Sequence, residues 1–144
     1  MSTKRPLVVV LASQSVSPFE IAAAFELFGL DRRVLTPRWY RFALAGTKPL
    51  RWAGSVRLSG FQPPSIAGRA DMLVVPAHST LEQPPEPWVV EALQRAHRRG
   101  ARVVSFCTGA FALGHAGLLR RATTHWMHAE AFRRAFPHVA FDAA

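Results

Sequence analysis

Short, wholly apolar runs alternate along this chain with longer amphipathic ones. Leu7–Ala12 (LVVVLA) is continuous and rich in valine, the pattern of a strand buried on both faces. The following stretch, SPFEIAAAFELFGL, repeats apolar residues at helical spacing: Phe19, Ala22, Ala23, Phe25 and Leu27. Ser17 stands at a helix N-cap, Pro18 at the first helical position, Glu20 three past the cap, and Gly29 at the stop. Trp39–Gly46 predicts a second strand, and Leu50–Gly60 a small hairpin turning at Ala53-Gly54. FQPPSIAGRA reads as a loop or short helical turn. Met72–Val75 is another buried strand, ended by Pro76. A proline-rich loop then leads to a helix over Trp88–Arg99, stopped by Gly100. Arg102–Phe106 predicts a strand and Gly109–Leu119 a helix weakened by Gly114 and Gly117. A further helix spans Trp126–Phe136, ended by Pro137, and Val139–Phe141 begins one more strand.

The order is β-α-β-hairpin-β-α-β-α-α-β. Valine-rich strands alternating with helices predict an α/β fold with a mainly parallel, doubly wound sheet. Neither an internal repeat nor a linker divides residues 1–144, so a single domain is expected. Reactive groups in such sheets collect at the carboxyl ends of the strands. Three segments fall there: Ser17–Glu20, Pro76–Ser79 and Cys107–Gly109.

Composition narrows the classes. A chain of 144 residues is long enough for one domain with a real core. Hydrophobic residues make up 49% and charged residues 19%, which excludes a disordered chain. The single cysteine excludes an internal disulfide framework and a Cys–Cys metal site, and fits a reducing compartment. Leu7–Ala12 is shorter than the roughly 7–15 apolar residues of a secretory signal, and no run approaches the roughly 20 of a membrane span. The expectation is a soluble, cytoplasmic protein without a membrane partner. A net charge of +9 permits contact with anions. The arginines, however, are scattered from Arg5 to Arg134 without a long run, so direct DNA binding by this chain is not expected.

Candidate chemistry centres on Cys107. Ser105-Phe106-Cys107-Thr108-Gly109 has the form small-x-nucleophile-x-small between a strand and a helix, the form a tight nucleophile elbow requires. A thiol there meets the helix N-terminus, whose dipole and free N–H groups favour thiolate. The alternative is a cysteine filling a gap in the core. Glu20 likewise has two readings: the acid of a capping box, or a carboxylate aimed at the elbow thiol from the neighbouring strand end. His125 follows the elbow helix and either acts as the base for Cys107 or starts the next helix. His78 either lines the same pocket or is a plain loop residue. His125 and His128 are three apart without a third ligand at metal spacing, so no metal and no cofactor are expected. His97 and His138 read as surface residues.

Four segments together resemble a known family: VVVLASQSVSPFEIAAAFELFGLDR, LVVPAHS, ARVVSFCTGAFALGHAGLL and RATTHW. They are similar to the PfpI-type, class I glutamine-amidotransferase-like superfamily. Within it they most resemble the amidase-like sensor domain of GlxA-type regulators of the AraC family. The likeness covers residues 6–142. It implies a flavodoxin-like α/β fold in which Cys107 matches the elbow cysteine and Glu20 the acid that contacts it. His125 would match a pocket histidine, and the backbone N–H groups of Ala77 and Thr108 an oxyanion hole beside Gly109.

This sequence departs from the family pattern in three ways. Hydrolases of the superfamily carry histidine directly after the cysteine, where this chain has Thr108. Ala77 stands where glycine is usual. The regulators also continue past the position of Ala144, with a strand and helix that finish the domain and then a helix-turn-helix module. The resemblance therefore implies a C-terminally incomplete ligand-sensing domain. It would bind a small metabolite near Cys107, His78 and Thr108, and act as a homodimer or as a heterodimer with an intact regulator. The alternatives are a cysteine-dependent hydrolase, amidase or glyoxalase-like enzyme, and an inactive truncated remnant.

Overall fold

The computed structural model describes residues 4–81 and 83–142. Its centre is β1 (Leu7–Leu11), every residue of which is buried. It pairs in parallel with β2 (Arg41–Ala45) on one side and with β5 (Met72–Val75) on the other. β5 in turn pairs in parallel with β6 (Arg102–Ser105), giving the order β2-β1-β5-β6. The chain leaves β1 in one direction to form β2 and returns to its other side as β5. The carboxyl ends of β1 and β5 therefore flank the point where the winding reverses, the usual site of ligands in open α/β sheets.

Strand alternation divides the core. Leu7, Val9 and Leu11 face a layer containing Val89, Leu93 and Ala96 of α2 (Pro87–Arg98) and Ala112 of α3 (Ala110–His115). Val8 and Val10 face Ile21 and Ala24 of α1 (Pro18–Ala24), with the β3 (Leu50–Trp52) and β4 (Val56–Leu58) hairpin beyond. Helices on both faces explain why β1 and β5 are apolar throughout rather than alternating. The hairpin turns where expected, with Ala53 and Gly54 both at positive φ (47° and 71°).

A third cluster joins Phe111 of α3 to Phe132 and Phe136 around α4 (Ala129–Ala135). Gly114 permits this approach, because a Cβ there would lie 2.6 Å from the Phe136 ring.

Several elements differ from the sequence expectation. α1 ends at Ala24, and the chain runs on through a wider π turn over Phe25–Gly29. The elbow and Trp126–His128 form single 3-10 turns before their helices, so α3 and α4 are shorter than their apolar patterns suggest. The terminal strand β8 (Ala140–Phe141) does not join the main sheet. It pairs in parallel with β7 (Arg121–Ala122), a strand the sequence pattern did not reveal. β8 is held there by Phe141 against Phe132, by Arg133 over the Phe141 ring at 4.6 Å, and by the Arg121–Asp142 ion pair. Among the described residues no helix is long and apolar enough to cross a membrane.

Candidate functional site

The site is built where β6 turns into α3. Phe106 is still extended (φ −104°, ψ 136°), and its N–H donates to the Val75 carbonyl at 3.0 Å, carrying the β5–β6 pairing up to the turn. Cys107 then reverses the chain at φ 50°, in the left-handed region that a side chain makes unfavourable. It is exposed. Gly109 closes the turn: a Cβ there would lie 2.6 Å from the Val75 carbonyl oxygen and 2.9 Å from that of Pro76. Only glycine lets the elbow sit this close to the end of β5. The small residues on either side of Cys107 thus have separate causes, since Ser105 is itself 3.3 Å from that missing Cβ.

The loop after β5 pairs with the loop after β1. The Ser17 N–H donates to Ala77 O (2.8 Å) and the Ser79 N–H to Ser15 O (2.9 Å), around an antiparallel bridge between Val16 and His78. The capping-box reading of Glu20 fails here. That motif needs the Ser17 N–H for the Glu20 carboxylate, but this N–H is committed to Ala77, and the Ser17 hydroxyl makes no cap bond. Glu20 Oε2 is instead shielded from water without a hydrogen-bond partner.

Thr108 ties the elbow to the same loop. Its hydroxyl accepts from the His78 N–H (3.0 Å) and donates to the His78 carbonyl (2.9 Å). His78 is only 7% exposed, so it is not a plain loop residue. Its Nδ1 lies 3.2 Å from Ser15 Oγ and 3.5 Å from Ser13 Oγ, while Nε2 is buried without a partner. Burial pushes the His78 pKa down to about 4, against a smaller opposing pull from the Glu86 carboxylate. The ring is therefore neutral at pH 7.

His125 lies on the segment that returns to the elbow, but the bond to the elbow comes from its neighbour. Thr124 Oγ1 donates to the Cys107 carbonyl at 3.1 Å. His125 Nδ1 accepts from the Met127 N–H at 3.2 Å, and its ring stacks on Trp126. Among the described residues, no hydrogen bond joins the Cys107 thiol to Glu20, His78 or His125. His97 and His138 are exposed, as expected. No group of three or more His, Cys, Asp or Glu among the described residues is arranged to hold a metal ion.

The structure thus unites Ala77, His78, Cys107, Thr108 and Gly109 in one bonded unit, with Glu20 and His125 outside that bonding. Sequence reasoning missed Ser13, Ser15 and Thr124. The available signals were hydroxyl pairs directly following a strand (Ser13-Gln14-Ser15) and preceding a helix (Thr123-Thr124).

Comparison with known proteins gives relatives of the sequence and of the fold. No family model matches the sequence. An uncharacterized protein from the cpoL 5′ region of Streptomyces lividans is 33% identical over 133 residues, 90% of this chain and 94% of that protein. The HTH-type transcriptional regulator GlxA of Rhizobium meliloti (strain 1021) is 49% identical over 49 residues, 33% of this chain and 15% of the regulator. Among solved structures, a Vibrio parahaemolyticus protein described as a candidate transcriptional regulator superposes with TM-score 0.84 at 19% identity, over 97% of this chain and 77% of that one. An AraC family transcriptional regulator from Pseudomonas putida does so with TM-score 0.71 at 17% identity (96% and 77%). The DJ-1 superfamily protein Atu0886 of Agrobacterium tumefaciens gives TM-score 0.69 at 19% identity (96% and 74%).

Proposed function

Because this chain belongs to one family with the Streptomyces lividans protein and shares the fold of DJ-1 superfamily proteins and AraC family regulators, we propose that it is a single ligand-sensing domain of the regulator type. A small metabolite would bind over Cys107, beside the contact between Thr108 and the Ala77–His78 loop. The response would pass through dimerisation to DNA-binding modules. The partial match to an HTH-type transcriptional regulator and the fold shared with an AraC family transcriptional regulator support the second half of this reading.

One observation carries the first half. The Thr108 side chain, which follows the cysteine, is spent on the backbone of His78 rather than on the thiol. Two groups that could take a proton are committed elsewhere, His125 Nδ1 to a backbone N–H and the neutral His78 ring to a wall of serines, and among the described residues the Glu20 carboxylate makes no hydrogen bond to the thiol. An exposed thiol among fixed hydroxyls and backbone groups suits recognition of a small polar molecule better than abstraction of a proton from a nucleophile.

The strained, exposed geometry of Cys107 favours one rival reading, a cysteine-dependent hydrolase using the Ala77 and Thr108 N–H groups as an oxyanion hole. Iodoacetamide labelling of Cys107 separates the two. For a sensor, a member of a panel of small carboxylates and amides slows labelling saturably and is recovered unchanged. Hydrolysis of an amide or ester that disappears in Cys107→Ala would overturn the sensor reading.

A further inference from the structure

We propose a second ligand site, remote from the thiol: the cleft between α1, the outer edge of β2 and the β3–β4 hairpin binds a small amphipathic carboxylate. The cleft encloses about 790 Å³, within the roughly 300–1,000 Å³ of small-molecule sites. Neither Cys107, Thr108, His78 nor His125 lines it. The inference therefore stands or falls independently of what binds at the elbow.

The apolar half of the ligand is matched by the walls. Ile21 comes from α1, Phe25 from the π turn that follows it, Phe42 and Leu44 from β2, and Trp52 and Leu58 from the hairpin. Phe25 is half-exposed and packs edge-on against Phe42, ring centroids 5.6 Å apart. The cleft exists because β2 is an edge strand covered at one end only. The Gln62 N–H donates to Leu44 O and the Gly46 N–H to Gln62 O, and among the described residues no strand pairs with this edge at Phe42.

The anionic half is matched by the edge and the rim. The Arg41 N–H donates to Pro6 O, and Ala45 O accepts from the Ala12 N–H, so odd-numbered residues of β2 turn their backbone groups toward β1. The alternation aims the N–H groups of Phe42 and Leu44 outward, along the open edge. Arg41 and Arg57 are exposed members of the lining, and no lining residue is acidic. Arg57 pairs with Arg51 across the hairpin, on the face opposite to Trp52 and Leu58, and among the described residues it makes no salt bridge. A carboxylate at this edge accepts from the Phe42 and Leu44 N–H groups beside the positively charged lining residues Arg41 and Arg57, and leaves its hydrocarbon part on the apolar walls.

The test uses the full chain and decanoate, measured by calorimetric titration, with decan-1-ol as the uncharged analogue. Expected is saturable decanoate binding, with decan-1-ol and the Arg57→Glu variant each weaker by about tenfold, the loss of one charge-assisted contact. Ala22 is an exposed lining residue of α1. Ala22→Trp fills the cleft and abolishes binding, whereas Cys107→Ser leaves it unchanged. If Ala22→Trp does not fold, Arg57→Glu decides alone. Unsaturable binding, equal binding of the alcohol, or loss of binding in Cys107→Ser overturns the proposal. So does a dimer in sedimentation that Arg57→Glu or Ala22→Trp dissociates while decanoate has no effect, since the cleft is then the contact between copies.

Discussion

The Thr108 hydroxyl holds both backbone groups of His78, accepting from its N–H at 3.0 Å and donating to its carbonyl at 2.9 Å. One side chain on the elbow thereby satisfies a buried amide that no ladder reaches. It also fixes the distance between the turn after β6 and the loop after β5. Thr108→Val keeps the shape and strands both groups, so unfolding in urea should show a loss of about 1–3 kcal/mol. Thr108→Ser should lose much less. A larger loss for Thr108→Ser than for Thr108→Val would mean that the methyl group, not the hydroxyl, does the holding.

Gly109 is expected to tolerate no side chain. The obstacles to a Cβ are the carbonyl oxygens of Val75 and Pro76, which cannot rotate away. Gly109→Ala should cost about 3 kcal/mol or leave the chain unfolded. Gly68 provides the control, since a Cβ there meets nothing within 4 Å. Gly68→Ala should melt within a few degrees of the parent chain.

Cys107 carries backbone strain whatever its chemistry. A side chain at φ 50° costs roughly 1–2 kcal/mol relative to the right-handed region. Cys107→Gly should therefore be more stable than Cys107→Ala by about 1 kcal/mol, measured by chemical denaturation. The reverse order would show a relaxed turn at this position.

Burial of His78 makes stability depend on pH. Its folded pKa, about 4, lies below the ordinary value of 6.5. Between these values the unfolded chain binds a proton that the folded chain refuses. Stability is therefore full above pH 6.5, falls as the pH drops toward 4, and levels off below that. The loss over the window is on the order of 3 kcal/mol. His115, whose pKa burial also lowers, adds in the same direction. His78→Gln should flatten most of the slope in denaturation curves taken from pH 4 to 7. An unchanged slope would assign the effect to other groups.

Much of the framework was legible because its causes are local. Val8, Val9 and Val10 announce a strand buried on both faces, and Ser105 and Gly109 bracket a turn that only small residues permit. Ala53-Gly54 marks the hairpin. The polar site was less legible because its bonds join distant residues. Nothing near Ser13 in sequence indicates a histidine 65 positions away. Of the two readings of Glu20, the cap fails although SPFE satisfies the capping motif, because the Ser17 N–H that motif needs is drawn to Ala77 by tertiary structure. β7 was invisible because two residues carry no periodicity.

That small strand also gives the elbow a remote handle. The Asp142 N–H donates to Ala122 O, and the Ala140 N–H to Arg120 O. Two positions beyond Ala122, Thr124 grips the carbonyl of Cys107. Exposed Asp142 thus sits at the far end of a short bonded relay that ends on the backbone of the thiol-bearing residue.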